Sequence, residues 1–125
     1  MSDGDSFSKD SLFELEFMES LYQKLPKDKK VMTLLAELYT AYGKIDEGLS
    51  LDKKIVRMNP NDAVANYNLA CSYSLKFHFK ESVAALRNAV LLGYKDFKWM
   101  LEDPDLEPVR NSSFFNELLE EFGIA

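Results

Sequence analysis

Apolar and polar positions follow a helical period along nearly the whole chain, and Pro and Gly break that pattern at intervals. Residues 1–10 are polar, contain Gly4 and lack periodicity, so they read as a flexible tail. Ser11 followed by Glu14 has the form of a capping box and predicts a helix start. In that helix Phe13, Phe17, Leu21 and Leu25 recur at every fourth position and are expected to face inward. Leu15, Met18 and Tyr22 widen the stripe, and Pro26 ends it. A second helix is expected from near Asp28, with Val31, Leu35, Leu38, Tyr39 and Tyr42 inward, and Gly43 permits a tight turn after it. Ile45, Leu49, Ile55 and Val56 mark a third helix that stops at Asn59-Pro60.

Asn61 or Asp62 then caps a fourth helix carrying Val64, Tyr67, Leu69, Ala70 and Tyr73. A turn at Phe77-His78-Phe79 leads to a fifth helix, Glu81 to Leu92, closed by Gly93. Beyond it the pattern predicts a short helix from Asp96 to Glu102, an interruption at Pro104 and Pro108, and a last helix capped by Ser112 or Ser113. Phe115, Leu118, Leu119 and Phe122 are its apolar positions. No alternating pattern of useful length predicts a strand. The chain reads as all-α.

A longer period lies over the helical one. Pro26 and Pro60, Leu35 and Leu69, Ala36 and Ala70, and Tyr39 and Tyr73 are all 34 residues apart. A repeat of that length marks stacked helix–turn–helix units, none of which can bury its apolar face alone.

The chain has 125 residues, of which 46% are hydrophobic, enough for one core of ordinary size. Its N-terminus lacks the basic and apolar stretches of a secretory signal, and no apolar run is long enough to span a bilayer. One cysteine, Cys71, excludes an internal disulfide and suits a reducing compartment, so a cytoplasmic location without membrane partners is expected. The net charge of −6 is unevenly spread. Residues 1–25 carry six acids against two bases, and residues 96–125 carry eight against two. Between them, residues 63–95 carry four bases against one acid. The net negative charge argues against nucleic acid as a partner, while acidic ends flank a mildly basic middle. They leave end-to-middle attraction between copies as a second possibility beside a plain solvated surface.

The 34-residue unit resembles the tetratricopeptide repeat. That family's signature positions fall on Met32, Leu35, Ala36, Tyr39, Gly48, Asp52, Ile55 and Pro60 in residues 29–62. In residues 63–96 they fall on Asn66, Leu69, Ala70, Tyr73, Ser82, Leu86, Ala89 and Tyr94. Asp52 stands where the family has an aromatic residue, and Asn66 where it has a large apolar one. Residues 11–28 resemble the second half of a repeat, through Glu14, Met18, Leu21 and Pro26. The stretch with Asp96, Asp103-Pro104-Asp105-Leu106, Val109-Arg110 and Phe115 is similar to an ending found on many bacterial repeat proteins. The resemblance implies one domain over 11–125: a half-repeat, two repeats and a divergent cap at 97–125. It implies a right-handed superhelical stack of antiparallel helix pairs, about six to seven helices in all.

The resemblance further implies a concave face lined by the first helix of each repeat, which holds a peptide or a partner helix. Its positions fall on Thr33, Leu34, Glu37, Thr40 and Ala41, then on Tyr67, Asn68, Cys71, Ser74 and Leu75, then on Lys98 and Glu102. Some relatives clamp the acidic tails of chaperones with Lys, Asn and Arg. Here the five clamp places read Thr33, Glu37, Asn68, Lys98 and Glu102, and the two acids would repel such a ligand. A neutral or mildly basic peptide fits better. The implied role is a protein-interaction adaptor or scaffold, with a self-assembling architectural unit as the alternative, motivated by Phe13 and Phe17.

Catalysis has little footing in the sequence. His78 is the one histidine and falls in a turn, so neither a histidine triad nor a multi-histidine metal site is available. Cys71 has no base paired with it and reads as a buried or groove-lining residue. Asp103, Asp105 and Glu107 lack the glycine of a calcium loop and read as helix capping in a rigid turn. No cofactor is expected. Aromatics Tyr39, Tyr42, Tyr73 and Phe79 read as core, with an aromatic binding ledge as the alternative; Phe77 reads as an exception in place of a glycine, and Trp99 as a packed cap or an exposed hot spot.

Overall fold

The computed structural model describes residues 9–124, which include no strand. Helices α1 (Lys9–Lys24), α2 (Lys29–Ala41) and α3 (Ile45–Met58) come first, followed by α4 (Ala63–Leu75) and α5 (Phe79–Leu91). Short α6 (Phe97–Glu102), a 3-10 turn at Pro104–Leu106, α7 (Glu107–Arg110) and α8 (Ser113–Phe122) complete the described chain. The residues gather into two compact units, one ending at Ile55 and the other starting at Val56.

In the first unit, α1 packs on α2. Its start differs from the capping-box expectation: Ser11 lies inside the helix, which is described from Lys9 on, and its hydroxyl is bonded to the Tyr42 phenol. Residues 1–8 of the expected tail lie outside the described residues, while Lys9 and Asp10 are helical. The inward stripe is also different. Phe13 and Phe17 are 71% and 57% exposed, Leu25 is exposed, and Leu15 and Met18 are buried. Polar anchors fix this rotation. The Tyr39 hydroxyl donates to Glu19 at 2.6 Å, the Tyr42 hydroxyl donates to Glu14, and Lys54 donates to the Tyr22 hydroxyl at 2.6 Å. Burial and then the Glu19 bond raise the Tyr39 phenol above its ordinary value, so it stays a donor.

Asp28 caps α2 by accepting from the Val31 amide at 3.0 Å, as its position predicts. Val31, Met32, Leu35 and Ala36 form the buried face of α2. Gly48 lets α3 approach closely: a Cβ there would sit 2.8 Å from Thr40 Oγ1 and 3.4 Å from the Ala36 carbonyl. Small residues at this repeat position therefore serve packing.

In the second unit, α4 and α5 form a tight hairpin. Ser82 is fully buried and donates its hydroxyl to the Ala70 carbonyl at 2.8 Å, a contact open only to a small side chain. The turn between these helices holds Phe77 at φ +61, a left-handed conformation that costs a non-glycine residue about 1–2 kcal/mol. Helix α5 begins at Phe79, two residues before the expected start.

Helix α8 packs on α5, with Phe115 and Leu118 buried, and Ser112 caps it by accepting from the Phe115 amide at 3.2 Å. Pro104 and Pro108 do more than interrupt. Each sits in the first turn of a short helical segment, where its missing amide hydrogen costs nothing. Leu106 and Val109 of these segments are fully buried, as is Met100 of α6.

Candidate functional site

Helix α4 carries five of the twelve expected site residues, and its sequence assigns them to different faces. Asp62 opens the helix by accepting from the Ala65 amide at 3.0 Å. Asn66 is buried and donates its amide to the carbonyls of Pro60 at 3.3 Å and Asp62 at 2.9 Å. An amide at the position where the resemblance expects a large apolar residue thus ties down the preceding turn.

Tyr67 and Cys71, one turn apart, face the 3-10 turn. The Tyr67 hydroxyl donates to Asp103 Oδ2 at 2.7 Å, and the Cys71 thiol lies 3.7 Å from the same oxygen. The other Asp103 oxygen accepts from the Asp105 amide at 3.0 Å and so caps the turn that Pro104 begins. Arg110 closes the arrangement by donating to the Asp103 carbonyl at 2.7 Å and the Met100 carbonyl at 3.3 Å. Tyr94 stacks on Tyr67, with centroids 4.2 Å apart and rings 9° from parallel. Tyr67, Cys71 and Asp103 are all buried.

The electrostatics follow from that burial. Desolvation first, then the neighbouring Cys71 and the Asp103 bond, push the Tyr67 phenol far above its ordinary value. Burial likewise raises Tyr94. Burial and then the Asp103 charge raise the Asp105 carboxyl. Cys71, Asp103 and Asp105 bring a sulfur and two carboxylates within 4.8 Å of one another, a set able to hold a divalent ion. Asp103 already has donors on both oxygens, so an ion would compete with the bonds that attach the turn to α4.

The expected binding residues therefore divide. Tyr67 is spent on Asp103 and Tyr94 and offers no side chain to a partner, because its phenol is satisfied internally. Cys71 takes the buried alternative of its two readings. Asn68 and Leu75 are half-buried on a neighbouring stripe of α4, which Val64, 57% exposed, extends toward the helix start. Lys98 is exposed on α6, beside Trp99 at 45% exposure, so that indole takes the exposed alternative of its two readings. In the first unit, Leu34 and Glu37 are exposed on α2. Thr33 is half-buried there and returns its hydroxyl to the Lys29 carbonyl at 2.8 Å.

Sequence reasoning read Asp103 as a cap and missed its bond to Tyr67, which joins residues 36 positions apart. Tyr94, where the repeat has Pro, carried the one available signal: an aromatic ring where a partner ring was needed.

No family model matches the chain. Over 115 residues it is 34% identical to a chloroplastic protein of Arabidopsis thaliana. The match takes in 89% of this chain and 34% of that protein, so the chain spans about a third of the relative's length. No helix among the described residues is long and apolar enough to cross a membrane.

Proposed function

We propose that the chain is a tetratricopeptide-type interaction module, an adaptor or scaffold that binds a protein partner without catalysis. The reading is supported chiefly by the stripe of exposed Val64 and half-buried Asn68 and Leu75 on α4, a helix that also packs against α5, the 3-10 turn and α7. Two apolar side chains flanking an amide suit an extended peptide, whose backbone the amide can both donate to and accept from. Exposed Lys98 and Trp99 on α6 extend the chemistry available to such a ligand. Glu102, exposed at the end of α6, favours a neutral or mildly basic one.

The test compares proteins captured by the wild-type chain with those captured by Asn68→Ala combined with Leu75→Ser, identified by mass spectrometry. A partner held by the first and lost by the second, with unchanged helicity and melting, is the expected result. Equal recovery by both chains, or loss together with unfolding, sinks the site. As to compartment, the relative's name speaks for the chloroplast rather than the cytoplasm, and fractionation with a tagged chain decides between them.

Self-assembly is the second reading, favoured by the exposure of Phe13 and Phe17.

A further inference from the structure

Two features of the chain lack an explanation within one copy. The first is the turn Lys76-Phe77-His78-Phe79-Lys80. Phe77 is forced into a left-handed conformation where glycine would sit without strain, yet its ring is 69% exposed. That ring meets Phe79 edge-on, at 6.0 Å between centroids. The fold gains little burial from this residue in return for the strain, and strain of that kind points to a task performed outside the fold. Lys76 and Lys80 outnumber the neighbouring exposed Glu81, so the turn is mildly basic as well as aromatic.

The second feature is the outer face of α1. Phe13 and Phe17 lie one turn apart on it, both exposed. Asp10 and Glu16, both exposed, border them on the same face. Lys9 and Lys24 also lie on this face, but at its two ends. Four acids against two bases leave α1 acidic overall.

We propose that the Phe13–Phe17 face of α1 in one copy docks on the Lys76–Lys80 turn of a second copy. The inference rests on the self-assembly reading and names its interface. Apolar rings meet apolar rings, Asp10 and Glu16 meet Lys80, and the exposed ring of Phe77 becomes the buried anchor. Because the two patches differ, the contact is heterologous. Screening of the charge pairs makes it weaker at high salt.

Sedimentation velocity on the full chain across a concentration series, at low and high salt, tests the proposal. The wild type is expected to associate with rising concentration, and less so at high salt. Phe77→Gly is expected to weaken association by about tenfold or more while raising the melting temperature, a pairing that a merely structural role would not produce. Phe13→Ser with Phe17→Ser should weaken it similarly. Lys80→Glu and Glu16→Lys should each weaken it, and the mixture of the two variants should recover it. A strictly monomeric wild type overturns both this interface and the self-assembly reading. Association that survives Phe77→Gly, or no recovery in the charge-swapped mixture, overturns the interface alone. Binding to phosphatidylserine vesicles by wild type and not by Phe77→Gly, without self-association, overturns it in favour of a lipid surface.

Discussion

Asp103 ties α4, the 3-10 turn and Arg110 together in the second unit. One carboxylate oxygen receives the Tyr67 hydroxyl, the other caps the 3-10 turn, and the main-chain carbonyl holds Arg110. Tyr67→Phe keeps the stack on Tyr94 but removes a charge-assisted bond in a buried place. The expected loss is about 1–3 kcal/mol in urea denaturation, with helicity unchanged. A loss below about 0.5 kcal/mol, the range of an ordinary surface change, would mean the bond contributes little. Asp105 acts in the opposite direction. Its carboxyl is raised by burial and then by Asp103, so the folded chain holds that proton more tightly than the unfolded chain does. Stability from this group is fully present below the ordinary carboxylate value and is lost as pH rises through the raised one. Asp105→Asn should therefore raise stability at pH 7 and flatten the profile in the mildly acid range. Denaturation at pH 4 and pH 7 checks this, and a variant less stable than wild type at pH 7 contradicts it.

Among the elements, most helix boundaries were legible because caps are local. Asp28, Asp62 and Ser112 each bond an amide three residues on, and the type and spacing of those residues announce it. The orientation of α1 was not legible. Two apolar stripes compete on that helix, and the choice between them is made by Tyr39 and Tyr42 reaching back to Glu19 and Glu14 across a turn. Periodicity within one helix carries no record of such partners. The α4–α5 hairpin was legible through the small residues Ala70, Ser82 and Ala89, all fully buried. It supplies a graded test. Ser82→Ala removes one hydroxyl bond and should cost about 1 kcal/mol. Ser82→Leu must separate the helices and should cost about 1–3 kcal/mol or more, through overpacking. Thermal melts rank the two, and equal costs would show that the helices do not meet closely there.

For the whole molecule, the all-α class was legible from the helical period, whereas the candidate site was legible only in part. Asn68 and Leu75 fall on an accessible stripe, but Tyr67 was drawn inward by Asp103, a residue outside its own 34-residue unit. A repeat pattern describes what each unit does for its neighbours, so a bond specific to the C-terminal segment escapes it. The acidic ends and basic middle were legible as charge alone. Exposed Phe77 and the outward Phe13 and Phe17 give that charge an apolar complement.

The placement of Cys71 also has a chemical consequence. The chain's one thiol is buried against the 3-10 turn, beside the carboxylate that holds that turn to α4. A thiol reagent therefore gains access only when this part of the structure opens. The rate of alkylation becomes an internal clock for that opening, readable by mass without altering a single residue.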